Sequence, residues 1–407
     1  MPQGPGRTAR FKVDEIVVAV PHQDLVLREL AAAPGQTAAP RITASDPRLG
    51  LSIISVTHAD GPDSADGAAL DRLLAAVRAN CAARYDGWAP TMGKNRLLDR
   101  IDGAGHIDGG GGVGGAGHID GGGGGLPVPA EAGDVAPGAG LDRGRDVRVA
   151  VLDTKIFPHP DLAGRFNTDG PEALLRDPAG VPYHAGHATF VAGLIKQRAS
   201  RAVMNIHNAL DNEAEATAWD VARKMVEFAD DGVGVLNLSM GCFTDDGQPP
   251  LLFARAVELL TPDIVIVAAA GNHGAGDSVY QVTPKTPFWP AALDDVVAVG
   301  AHDSDGQRAT FSPDTPWVTL SAPGVDVVST FLSGKVTVPS GADSTELRSY
   351  DGYASWSGTS FSAAIVTGEI AAGTITGERA PREALNDLLQ QAPGQPGADV
   401  WAYDHRE

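Results

Sequence analysis

The chain has 407 residues, of which 43% are hydrophobic and 20% charged, and its formal charge is −20. That length allows two or three domains with cores of their own, and that composition excludes a chain disordered throughout. The acidic balance excludes a cationic surface for non-specific nucleic-acid binding, so no nucleic-acid partner is expected.

Cys81 and Cys242 are too few for a disulfide framework and make no CxxC metal spacing. Two free thiols are expected, with one long-range bridge as the alternative. No apolar run approaches the ~20 residues of a membrane span, so no membrane partner is expected. Met1–Arg10 reads as a polar tail with Pro2 and Pro5, and no apolar stretch follows. The expectation is therefore a cytoplasmic protein without a signal peptide, or a secreted one if the start codon lies upstream.

A small module is predicted over 11–100. Glu15–Val20 reads as a strand, His22–Ala32 as a helix carrying Leu25, Leu27 and Leu30, and Gly50–Thr57 as a second strand. Ala68–Arg84 places Leu70, Leu73, Leu74, Val77 and Cys81 at helical spacing. The order β-α-β-α predicts a compact α/β fold. A glycine-rich linker is predicted over 101–145. Fourteen glycines fall in the 23 residues Gly103–Gly125, and GAGHIDGGGG at 103–112 returns at 115–124. Two copies with so little side chain cannot repay their ordering entropy, so a flexible tether is expected rather than a solenoid. His106, Asp108, His118 and Asp120 read as incidental polar residues of that spacer rather than metal ligands.

The pattern changes over 146–392, ahead of a C-terminal tail at 393–407. Apolar runs at Arg148–Leu152, Val233–Met240, Ile264–Ala270 and Val296–Ala301 alternate with helical stretches at Ala188–Lys196, Ala214–Ala229 and Leu252–Leu260. Near-continuous apolar strands separated by helices predict a doubly wound, mostly parallel sheet covered on both faces. Ligand sites in such sheets lie at the carboxyl ends of strands, where the polar words fall.

Four of these words carry chemistry. VAVLDT at 149–154 ends a strand in Asp153, and GHATFVAGLI at 186–195 puts His187 at the start of a helix. AAAGNHG at 268–274 runs a buried strand into Gly271, Asn272 and His273, and SGTSFSAAIVTG at 357–368 places Ser360 at a helix N-terminus, which favours developing negative charge. Singly they read as a strand-end turn, a cap, a glycine turn and an N-cap serine. Together, in the order Asp153, His187, Asn272, Ser360, they resemble the subtilisin-like serine peptidases, the subtilases. The resemblance extends to VLNLSMG at 235–241, FWPAALDDVVAVGA at 288–301 and LSAPGVDVVST at 320–330.

The resemblance implies a subtilisin-like fold and serine endopeptidase activity on polypeptide substrates. Ser360 would be the nucleophile, His187 its base, Asp153 the group holding the imidazole, and Asn272 with the Ser360 backbone N–H the oxyanion donors. It also implies that Ser239, Met240 and Gly241 form a substrate-binding edge and Ala268, Ala269, Ala270 and Gly271 the wall of the first pocket, with His273 at its rim or in a solvated loop. No acidic loop reads as a calcium site, so no metal and no cofactor is expected, calcium being left open. The sequence departs from the family pattern at Lys155, expected to point to solvent, at Ala188 and Phe190, where packing changes rather than inactivity are expected, and at Ala364–Ile365, which should continue a helix more smoothly. By size and position the N-terminal module is similar to a subtilase propeptide, which implies that it docks on the cleft; the rival is a permanent regulatory domain. The alternative function is an idle subtilase scaffold that binds peptides or a partner protein. An esterase would carry GxSxG and the order Ser, Asp, His, which this chain lacks.

Overall fold

The computed structural model describes residues 10–33, 38–57, 68–100, 125–135, 142–211, 215–276, 282–341, 344–391 and 399–403. The tandem repeat, with His106, Asp108, His118 and Asp120, lies outside them.

The N-terminal module is a four-stranded antiparallel sheet in the order Met92–Arg100, Phe11–Ala19, Leu51–Ser55, Arg41–Asp46, with helices Gln23–Ala32 and Ala68–Arg84. Strand alternation divides its side chains. Ile16, Val18 and Ile54 pack against Val26, Leu30, Leu70, Leu74, Val77 and Cys81 of the helices. Val17, Leu51, Ile53 and Leu98 face the other way, into the second half of the chain. The β-α-β-α expectation is corrected to β-α-β-β-α-β. The two extra strands escaped because Arg41–Asp46 is an edge strand without an apolar stripe, and Met92–Arg100 carries Lys94, Asn95 and Arg96 where a core strand would carry aliphatics.

The second half is built on an eight-stranded sheet. Its order is Trp401–Ala402, Leu320–Pro323, Val296–His302, Val265–Ala269, Val235–Leu238, Arg148–Asp153, Val203–Asn208, Phe166–Thr168. Every pairing is parallel except that of Trp401–Ala402. Helices His187–Arg198 and Thr359–Gly373 cover one face, and Ala218–Glu227 and Leu251–Leu260 the other, as expected of fully buried apolar strands. Cys81 and Cys242 are buried in different halves and are not joined. Among the described residues, no helix is long and apolar enough to cross a membrane.

Two stretches differ from the linker and tail expected. Gly125–Val135, placed in the linker, contributes Val128–Pro129 as a third strand beside a long hairpin, Val327–Gly341 with Ser344–Trp356. Main-chain pairing and buried donors hold it, which composition does not reveal. In the expected tail, Trp401 stacks on His302 with ring centroids 3.9 Å apart.

The halves meet along Met92–Arg100. Beyond its neighbour in the module, this strand pairs antiparallel with Met240–Gly241 (Asp99 opposite Gly241, Arg100 opposite Met240) and with Glu215–Thr217. The module also serves both ends of helix Ala218–Glu227, whose terminal backbone groups lack intrahelical partners. Asn95 Oδ1 accepts from the Trp219 N–H at 3.1 Å, and Arg48 Nη1 donates to the Val226 carbonyl at 3.2 Å. Lys94 Nζ and Arg96 Nη1 converge on Asp245 Oδ2 at 2.7 and 3.1 Å.

Candidate active site

Asp153 ends its strand fully buried at the carboxyl edge of the sheet. Its carboxylate faces His187 Nδ1, at 2.9 Å from Oδ1 and 2.8 Å from Oδ2. The Thr154 N–H donates to Oδ1 at 2.7 Å, and the Thr154 hydroxyl accepts from the Ala188 N–H at 3.1 Å, which ties the strand end to the first turn of the histidine helix. Further along, the Thr330 and Ser329 hydroxyls donate to the Thr189 and Phe190 carbonyls at 2.8 and 2.7 Å. A carboxylate accepting from Nδ1–H leaves Nε2 as the basic nitrogen.

His187 Nε2 is buried and has no hydrogen-bond partner, and the same is true of Ser360 Oγ. The imidazole packs edge-on against Trp356, with centroids 5.7 Å apart, and tilted against Phe361 at 5.6 Å. Phe190 lies fully buried against Phe361 at 4.4 Å, so its departure from the family word is a packing change. Proton-transfer contacts commonly tighten only when substrate binds.

Ser360 is the second residue of helix Thr359–Gly373, entered through Gly358. Asn272 is oriented by the same turn. Its Oδ1 accepts from the Thr359 N–H at 3.0 Å and from the Thr359 hydroxyl at 3.1 Å, and that hydroxyl accepts in turn from the Gly271 N–H at 3.1 Å. With its oxygen engaged, the carboxamide presents its N–H₂ end toward the helix entry. Gly271 sits at φ +95, where a side chain would be strained and a Cβ would lie 2.8 Å from His273 Nδ1.

Ser239, Met240, Gly241, Ala268, Ala269, Ala270 and Gly271 all lie buried along two adjacent strands and their ends. Ser239 Oγ donates to the Ser360 carbonyl at 3.4 Å and accepts from Asn237 Nδ2 at 3.1 Å, while Asn237 Oδ1 accepts from Thr367 at 3.0 Å. This chain of polar groups beneath the serine was missed from sequence, as were Thr154, Thr359 and Trp356. Thr154, Thr359 and Asn237 stand inside the quoted words, where a polar residue amid buried aliphatics was the available signal. The expectation for His273 is corrected. It is 4% exposed, neither at a rim nor in solvent, because Nε2 bonds the Thr286 carbonyl at 2.9 Å and the ring packs edge-on to Phe243.

Among the described residues there is no group of three His, Cys, Asp or Glu side chains able to hold a metal ion. What the site assembles is a buried carboxylate–imidazole pair, a hydroxyl at a helix N-terminus and an oriented amide, the parts of acyl transfer.

The subtilase family model matches residues 144–391. The chain is 34% identical over 207 residues to a thermophilic serine proteinase of Bacillus sp. (strain AK1), covering 47% of each chain. It is 30% identical over 244 residues to an intracellular serine protease of Paenibacillus polymyxa, covering 56% of this chain and 67% of that protein. The chain spans about half the length of the first curated relatives that it matches. Fervidolysin from Fervidobacterium pennivorans, described as a keratinolytic enzyme related to subtilisin, superposes with a TM-score of 0.55 at 17% identity, over 91% of this chain and 57% of that one. That likeness is one of fold.

Proposed function

The chain belongs to the subtilase family, and from that premise we propose that it is a serine endopeptidase that hydrolyses peptide bonds through Asp153, His187 and Ser360, with Asn272 as oxyanion donor. The observation that carries this reading is the buried Asp153–His187 contact at 2.8 Å beside two buried, unpartnered atoms, His187 Nε2 and Ser360 Oγ. An unsatisfied buried polar group costs about 1–3 kcal/mol, so leaving one on the carboxylate-bound imidazole and another on the serine at the helix N-terminus marks groups kept for something other than stability.

In this mechanism Ser360 Oγ attacks the scissile carbonyl while Nε2 takes its proton. The imidazolium is stabilised by Asp153. The tetrahedral oxyanion is met by the Asn272 amide and the Ser360 N–H, and the proton passes to the leaving amine as the acyl-enzyme forms. Water repeats the sequence to release the acid. A fluorophosphonate probe should label the wild-type chain and not S360A. Equal labelling would refute the role of Ser360, and an unlabelled, inactive wild type would favour the idle scaffold.

The reading extends to the N-terminal module as an inhibitor docked in the acyl half of the cleft, and to 146–392 as the peptidase unit. Three features support it: the pairing of Asp99 and Arg100 with Gly241 and Met240, the flanking strand Glu215–Thr217, and the full burial of Leu98 among peptidase residues. An extended chain between two strand edges is how a peptide substrate would bind. Self-cleavage of the wild type with an intact S360A chain would support a propeptide. An uncut but active wild type would support a permanent regulatory domain.

A further inference from the structure

A second stretch of the chain reaches the active site through Trp356. Trp356 stands four residues before Ser360, is 3% exposed, and packs edge-on against His187. Its Nε1 donates to the Gly125 carbonyl at 2.9 Å. From there the chain runs outward along the hairpin. Tyr350 Oη and Arg348 Nη1 donate to the Pro127 carbonyl at 2.7 and 3.3 Å, Val128 and Pro129 lie opposite Ser355 and Ala354, and the Ala130 N–H donates to the Tyr353 carbonyl at 3.2 Å. Leu126 packs on the main core and Pro127 is buried.

The chemistry tells which half of the cleft this is. The imidazole must hand its proton to the leaving amine, so the part of a substrate beyond the scissile bond lies on the imidazole's side of the serine. Trp356 packs edge-on against that imidazole and so marks that side. A strand that starts at Trp356 and runs away from Ser360, antiparallel to Ala354–Trp356, follows the path open to the leaving half of an extended peptide.

We propose that Gly125–Ala130 is a resident strand in the leaving-group half of the cleft and that it sets specificity there. This rests on the serine peptidase reading above. A substrate that ends just past the scissile bond leaves the strand in place. A substrate that continues for several residues must displace it, losing the contacts to Trp356, Tyr350 and Arg348. The enzyme thereby favours cleavage near the carboxyl end of a peptide, or before a small leaving group.

The test compares two substrates with the same acyl sequence on the active enzyme, whether cut or uncut. One is a p-nitroanilide and the other a quenched peptide that continues for five residues. Removing the two donors to Pro127 in Y350F/R348A should raise kcat/KM for the long peptide about tenfold and leave the p-nitroanilide within twofold. L126S, which loosens the same strand from the core side, should act in the same direction. If the ratio between the two substrates stays at its wild-type value in both variants, the strand is a structural brace and the proposal falls. Fluorophosphonate labelling separates the two failures: an unlabelled Ser360 rejects the peptidase reading, and with it the proposal that rests on it, whereas a labelled enzyme with an unchanged ratio rejects the resident strand alone.

Discussion

Replacing Asp245 by asparagine should loosen the N-terminal module from the second half of the chain. Lys94 and Arg96 have side chains only 7% and 6% exposed, and both converge on this one carboxylate, itself 40% exposed. Lys94 keeps a second partner, Asp71 at 2.6 Å, while Arg96 keeps the face of Phe11 at 5.5 Å. Stranding a fully buried charge costs about 3–5 kcal/mol. Water reaches Asp245, which brings the expected loss to about 2 kcal/mol, or roughly thirtyfold in the docking equilibrium. D71N should cost less than about 1 kcal/mol, because that carboxylate is 56% exposed and Lys94 retains Asp245. Amide exchange of Met92–Leu98 in the S360A chain reads this directly. Exchange about thirtyfold faster in D245N, and less than about fivefold faster in D71N, is expected. Equal responses, or no response in D245N, would show that Val17, Leu51, Ile53 and Leu98 hold the module without help from charge. Acid should mimic the substitution. Burial pushes the Asp245 carboxyl up, but Lys94 and Arg96 outweigh burial and hold it below its ordinary 3.8. The undocked chain therefore binds this proton first. The contribution to docking is complete above pH 3.8 and is lost as the pH falls through the lowered value, and D245N should lack that dependence.

D153N should leave the fold intact and lower kcat by three to four orders of magnitude with little change in KM, since it spoils the imidazole tautomer; steady-state kinetics on a peptide substrate checks this. N237L should cost about 2–3 kcal/mol, because it strands the Thr367 hydroxyl and removes the donor to Ser239 Oγ beneath the serine; thermal unfolding measures it. Burial pushes the imidazole of His302 down to about 4 from 6.5. Above pH 6.5 it is neutral both folded and unfolded, and as the pH falls from there toward 4 only the unfolded chain takes up the proton. Stability should therefore fall by on the order of 3 kcal/mol across that window, and H302Q should flatten the slope in denaturant titrations at several pH values.

How much of this was legible follows from what each residue is doing. The strands Arg148–Asp153, Val265–Ala269 and Val296–His302 were read within a residue or so of their ends, because parallel strands buried on both faces must be apolar throughout. Arg41–Asp46 and Met92–Arg100 were not, since an edge strand and a strand studded with Lys94 and Arg96 carry no hydrophobic period. The hairpin Val327–Trp356 also went unread. Its alternation is broken by register shifts between Thr330 and Ser333 and between Pro339 and Gly341. In the candidate site, Asp153, His187, Asn272 and Ser360 were legible as words of a family. The hydroxyls of Thr154 and Thr359 that orient them were not, because a threonine bonded to a distant backbone N–H looks in sequence like any other. His273 misled for the opposite reason: a polar residue between glycines reads as solvated until the aromatic pair Phe243 and Phe288 is seen around it.

The short strand Trp401–Ala402 has a consequence beyond its two residues. It runs antiparallel along Leu320–Pro323, which would otherwise be the bare margin of the remaining seven strands, and its indole covers His302. A chain cut before Asp399 would uncover a row of unsatisfied main-chain donors and acceptors beside a wetted imidazole. Such a truncation would be expected to keep its chemistry and lose its solubility, as copies zip together edge to edge.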